Sequence, residues 1–120
     1  MCVENSIAPT GTTPLSTFQS NTGWLGTNDP NIGPGAKLKA SASNTPSWNG
    51  TNASGFTALP AGVRNYGCGF CSLGSDAYFW SATEDSAPNA WIRSLHTGFW
   101  QSGRGYDYKP SGLSVRCLQN

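Results

Sequence analysis

Apolar and polar residues alternate in short bursts separated by turn residues, and nowhere do they settle into a long helical period. Tyr78-Phe79-Trp80-Ser81-Ala82-Thr83 and Ala90-Trp91-Ile92-Arg93-Ser94-Leu95 are rich in aromatic residues and predict two strands joined by the loop Glu84 to Asn89. Gly55 to Arg64 alternates like a half-buried strand, and Leu113-Ser114-Val115-Arg116-Cys117-Leu118 reads as a final hydrophobic one. Ala36-Lys37-Leu38-Lys39-Ala40 alternates apolar with charged residues, as a strand or edge would, after the dense turn signals of Thr27 to Gly35. The helical signal is in Pro14 to Gly26, where Leu15, Phe18 and Trp24-Leu25 recur at helical intervals behind a Thr-Pro start. Ser41 to Ser54 reads as a polar loop pinned to the body by Trp48.

These elements belong in a single domain spanning 1–120, since two cores would leave neither enough apolar interior. With Gly 15, Pro 8 and 11% charged residues, short elements and long loops are expected. The net charge of +1, without a Lys or Arg cluster, gives no footprint for nucleic acid or an anionic bilayer. No run approaches the ~20 apolar residues of a membrane span, so direct membrane insertion is not expected. The N-terminus lacks the basic and apolar regions of a signal peptide, and Met1 before Cys2 has the look of an added start.

Cys2, Cys68, Cys71 and Cys117 allow three pairings and fit an oxidising compartment. A Cys2–Cys117 bridge would tie the ends together. Cys68 and Cys71 have redox spacing without the strand-to-helix context that lowers a thiol pKa, which favours a local bridge or two unpaired loop thiols. With one histidine, His96, and scattered carboxylates, neither zinc nor calcium has a ligand set, and no cofactor is expected. No nucleophile, base and acid partner group themselves around His96, which argues against an enzyme.

The stretch Trp91 to Asn120 mixes Tyr, Trp and Phe with Gly, Ser and Asp, which is the composition of evolved binding surfaces. Trp80 and Trp91, inside strand blocks, are expected in the core. Phe99, Trp100, Tyr106 and Tyr108, flanked by Gly and Ser, are expected on the surface, with His96, Arg104 and Asp107 adding directional contacts.

Taken in order, the blocks GAKLK, GTNASGFTALPAGVRNYG, LGSDAYFWSATE, NAWIRSL and SGLSVRCL resemble the Fibrobacter succinogenes major paralogous domain. The match is close from Gly35 onward. Before it, the family's Cys-Pro entry and Trp-bearing first helix are replaced by a looser sequence. Members are common in surface proteins of gut Bacteroidales and are similar in fold to C-type lectins and the formylglycine-generating-enzyme group. The resemblance therefore implies an α+β, C-type-lectin-like fold: a small twisted antiparallel sheet, one or two short helices and long loops. It also implies a non-enzymatic recognition or adhesin domain for a protein or glycan partner, at a bacterial cell surface, secreted, or on a phage tail tip. Some members of this and the wider lectin-like group are diversified by retroelements that mutate adenines. Where relatives carry Asn-rich runs, this chain has Ile92, Ser94, His96, Thr97, Phe99, Ser102, Gly103, Gly105, Tyr106, Asp107 and Tyr108. With Trp100 these form the candidate ligand-binding set, held on a frame of Trp91, Arg93, Leu95, Arg104, Lys109 and Gly112. Three alternatives stand beside that reading: ordinary drift of surface loops, an oxidoreductase using Cys68 and Cys71 as formylglycine-generating relatives do, and a structural pilus or surface subunit.

Overall fold

The computed structural model of the chain describes residues 23–67 and 69–117. Among them, the architecture is mostly antiparallel β with one short helix. The elements are β1 (Gly23–Leu25), α1 (Pro34–Leu38), β2 (Val63–Asn65), β3 (Gly69–Cys71), β4 (Asp76–Glu84), β5 (Asn89–His96) and β6 (Ser102–Tyr108). The main sheet runs β1-β6-β5-β4, antiparallel throughout, and β2-β3 forms a separate hairpin.

The two aromatic blocks become β4 and β5 as their composition predicts. Tyr78 faces Ser94 and Trp80 faces Ile92, and the register shifts between Trp80 and Glu84 before the turn. β6 then lies along β5, pairing Trp91 with Tyr106 and Ser94 with Gly103. Most of the candidate binding residues are therefore on the two central strands of a sheet rather than on long loops.

Four expected elements differ. Gly23, Trp24 and Leu25 lie in strand β1, with Trp24 and Leu25 paired with Gly103 and Ser102, not in a helix; positions 14–22 of that predicted helix lie outside the described residues. Ala36 to Ala40 is not a strand, because Gly33 and Pro34 start α1 there. The first amides of α1 find an acceptor in a distant turn: Gly35 N and Ala36 N both donate to Trp100 O, at 2.8 and 3.3 Å. The closing segment at Leu113 is also no regular strand. It touches the outer edge of β4 at Ser114, through bonds with Tyr78 O and Trp80 N, while Val115 and Arg116 face solvent. Most of Gly55 to Arg64 is irregular too, reaching strand geometry at Val63.

The core gathers Leu38, Ala40, Trp48, Phe56, Ala58, Ala77 and Leu95, with Phe79 packed against it. It lies between one end of the sheet and the irregular segment carrying α1. Trp48 anchors the polar loop as expected, its indole donating to Thr97 Oγ1 at 2.9 Å. Trp80 and Trp91 are half-buried and outside this core, a correction explained by register: Trp80, opposite Ile92, is on the face away from Ala77, Phe79 and Leu95, and Trp91 shares the core's face but lies past Arg93.

The Cys2–Cys117 bridge does not form, since Cys117 is a free, exposed thiol. Its segment is held to the sheet only around Ser114. Cys71 is disulfide-bonded; Cys2 and Cys68 lie outside the described residues.

Candidate functional site

Residues directly opposed across antiparallel strands share a face, and neighbours along a strand alternate. This rule divides the candidate set between two faces. Trp91, Arg93, Arg104, Tyr106 and Tyr108 lie on the face that includes Ala77 and Leu95. Trp24, Asp76, Tyr78, Ile92, Ser94, His96, Gly103, Gly105 and Asp107 lie on the other.

On the first face, the Arg104 guanidinium sits 3.7 Å from the centre of the Trp91 ring, and Tyr106 meets Trp91 edge-on at 6.2 Å. Tyr66, just beyond β2, meets Tyr108 edge-on at 5.1 Å. Tyr66, Tyr106 and Tyr108 are exposed, Tyr106 by 60%. The same hairpin carries exposed Phe70, and Leu73 follows it, also exposed. Beneath this patch Arg93 is buried opposite Arg104; burial, then the Arg104 charge, pushes its pKa down to about 10.

On the second face, Trp24 and Phe99 are stacked at 4.5 Å with 16° between planes. His96 stands edge-on to Trp24 at 4.7 Å and Tyr78 edge-on to His96 at 5.5 Å. Asp76 Oδ1 is 3.5 Å from His96 Nδ1, and the Tyr78 hydroxyl donates to Asp76 Oδ2 at 3.3 Å. Burial lowers the His96 pKa, the Lys39 charge adds to this and Asp76 opposes it. Burial raises the Tyr78 pKa, and Asp76 reinforces the shift.

Between these groups the turn from His96 to Gln101 is braced from several directions. Lys39, fully buried, sends its ammonium to His96 O at 2.9 Å and Phe99 O at 3.0 Å, with the Trp100 ring centre 4.3 Å away. Thr97 bonds Ser75 O through both N and Oγ1, and its own carbonyl accepts from Asn49. Trp100 N donates to Asn28 Oδ1, and Gln101 Nε2 to Gly26 O. The backbone fits so closely that a Cβ on Gly35 would overlap Gln101 O.

Several candidate positions thus serve the frame. Ile92 (7% exposed), Ser102 (1%) and Gly103 are buried and unable to present a side chain to a partner. Ile92 and Gly103 point to the face opposite Tyr106 and Tyr108, whereas Ser102 shares the tyrosines' face at the start of β6, where it pairs with Leu25 of β1. Thr97 and Trp100 brace the turn, Ser94 lies under Gly103, and Gly105 is half-buried. Asp107 Oδ1 accepts from Tyr108 N and Ser111 Oγ, closing the turn after β6. Exposed chemistry remains at Phe99, Tyr106 and Tyr108, with half-buried His96. Sequence reasoning left out Trp24, Asp76, Tyr66 and Tyr78; the aromatic spacing signalled Trp24 and Tyr78, but their strand partners could not be read from it. Among the described residues, no group of His, Cys, Asp and Glu is placed to hold a metal ion, and no helix is long and apolar enough to cross a membrane.

Fold and surface together define a small antiparallel-sheet domain with two aromatic clusters on opposite faces. The chain belongs to the Fibrobacter succinogenes major domain family, whose match covers residues 12–119. Comparisons with curated proteins and with solved structures gave no significant match.

Proposed function

We propose that this domain is a non-enzymatic recognition module of C-type-lectin-like architecture, an adhesin element of a bacterial envelope or phage tail. It binds a protein or glycan partner. The observation that carries this reading is the exposed Tyr66–Tyr108 pair and Tyr106 beside the Arg104–Trp91 stack. Tyr, Trp and Arg dominate the energetics of binding surfaces because they bury large areas with few torsions to freeze. Here all but Tyr66 stand on the two central strands of the main sheet, which limits the ordering cost of association.

The test is a protein and glycan array probed with wild type and with the double variant Tyr106→Ala, Tyr108→Ala. A ligand bound by wild type and lost at least tenfold by the variant, with its thermal midpoint within a few degrees of wild type, supports the proposal. Binding indifferent to both tyrosines would sink it.

A further inference from the structure

The second aromatic cluster shares no side chain with the tyrosine patch and has different chemistry. Trp24 and Phe99 are stacked with nearly parallel planes, each ring covering one face of the other, and at 37% and 38% exposure the pair leaves apolar ring surface open to solvent. At its rim stand an acceptor carboxylate (Asp76), an imidazole (His96) and a phenol (Tyr78), connected to one another. His96 presents Nδ1 to Asp76, leaving Nε2 as its second hydrogen-bonding atom. Such a surface suits a ligand with an aliphatic face and a rim of hydroxyl groups. A pyranose has both: axial C–H groups on one face and hydroxyls around its edge.

The site is also preformed. Phe99 is held through its carbonyl by Lys39 and through its N–H by His96 O, and Trp24 is fixed by pairing with Gly103. Gly103 is needed for that approach, because a Cβ there would overlap Ser94 Oγ and crowd the Trp24 ring at 3.1 Å. The Asp76 carboxylate disfavours an anionic ligand. We propose that Trp24 and Phe99, with Asp76, His96 and Tyr78 at their edge, bind a neutral pyranose unit of a saccharide without a metal ion. This deepens the recognition reading at a separate surface and rests on it only in taking the domain as a binder.

The experiment titrates the full chain with methyl β-D-glucopyranoside, methyl β-D-galactopyranoside, methyl α-D-mannopyranoside and methyl N-acetyl-β-D-glucosaminide, read by saturation-transfer NMR. Saturable binding of at least one glycoside in the millimolar range is expected, with transfer strongest to its ring C–H protons. Phe99→Ala is expected to weaken it about tenfold or more, and Asp76→Asn, which keeps the shape, to weaken it measurably. Should Phe99→Ala fail to fold, Phe99→Leu removes the ring plane while keeping an apolar side chain. Val115→Ala, at an exposed position outside both aromatic clusters, is expected to leave glycoside binding unchanged, and because the tyrosine patch is tested on the arrays by its own double variant, failure here and failure there are told apart. No saturable binding of any of the four, or binding indifferent to Phe99 and Asp76, overturns the proposal.

Discussion

Replacing Lys39 with Met keeps an unbranched stem in a fully buried position and removes the charged head. Two hydrogen bonds disappear, to His96 O at 2.9 Å and Phe99 O at 3.0 Å, along with the ammonium's contacts to Trp100 at 4.3 Å and Trp48 at 5.4 Å. Bonds from a charged donor contribute about 1.5–3 kcal/mol each, and a desolvated cation over an indole about 1–2 kcal/mol. Against this, burial pushes the Lys39 pKa down from 10.5 to about 8, equivalent to about 3 kcal/mol of lost hydration that the variant recovers. The balance is a net loss of about 1–5 kcal/mol at pH 7, a fall of roughly 4–20 °C in the thermal midpoint for a domain of this size.

The pH dependence separates a buried charge from a packing effect. Between pH 8 and 10.5 the folded state has released the Lys39 proton while the unfolded chain still holds it. The unfolded state binds more protons there, so stability rises with pH across that window, by up to about 3 kcal/mol. Lys39→Met lacks this increment, and the gap between the two proteins widens as pH increases. Tyr78, whose pKa is raised, acts in the opposite direction above about pH 10, but it is common to both proteins and cancels in the difference. Urea unfolding of both from pH 7 to 10 measures the gap. A difference below about 0.5 kcal/mol at pH 7 that stays flat with pH would refute the account of Lys39 as a charged brace.

Further outcomes follow from the same contacts. Gly35→Ala forces a methyl into the Gln101 carbonyl and is expected to cost about 1–3 kcal/mol, whereas Gly98→Ala meets open space and should change unfolding by less than about 0.5 kcal/mol. Trp48→Phe removes the bond to Thr97 Oγ1 and is expected to lower stability by about 1–2 kcal/mol in the same assay. In the native protein a maleimide should modify Cys117 and spare Cys71 until a reductant is added, as peptide mapping would show. If retroelement diversification shaped the segment, the gene's neighbourhood holds a reverse transcriptase and a near-repeat differing at adenines, and sequencing it decides the matter.

The parts of the fold set by contiguous residues were legible. The β4 and β5 blocks announce themselves by aromatic content, and Trp48 by its isolation in a polar loop. What stayed hidden depends on distant partners. Alternation in Ala36 to Ala40 has the same appearance whether both lysines face water or one is swallowed, and Lys39 is drawn inward by carbonyls nearly sixty positions along the chain. The first turn of α1 is completed by Trp100 O, which no local pattern could reveal. Leu113 to Leu118 has strand composition, but its described part is held to the sheet only around Ser114. Gly- and Ser-rich sequence has the composition of a loop, yet Gly103 and Gly105 are strand residues, the first admitting close neighbours and the second leaving the sheet surface low.

That difference bears on how the binding segment could vary without losing its fold. Tyr106 presents an exposed ring from a strand whose hydrogen bonds are made by backbone, so a change of side chain there leaves the ladder intact. Phe99 likewise projects from a turn held by main-chain atoms and by Lys39. Thr97, Ser102 and Gly103 are different: a hydroxyl bonded to Ser75, a nearly sealed side chain and a position without space for a Cβ each couple identity to stability. A surface evolving new partners on this frame would therefore change at positions such as Phe99, Tyr106 and Tyr108, and not uniformly along the segment. The bracing of His96 to Gln101 works to the same end. With its backbone fixed from α1, from Asn28 and from Ser75, the turn offers new side chains without paying each time to order a loop.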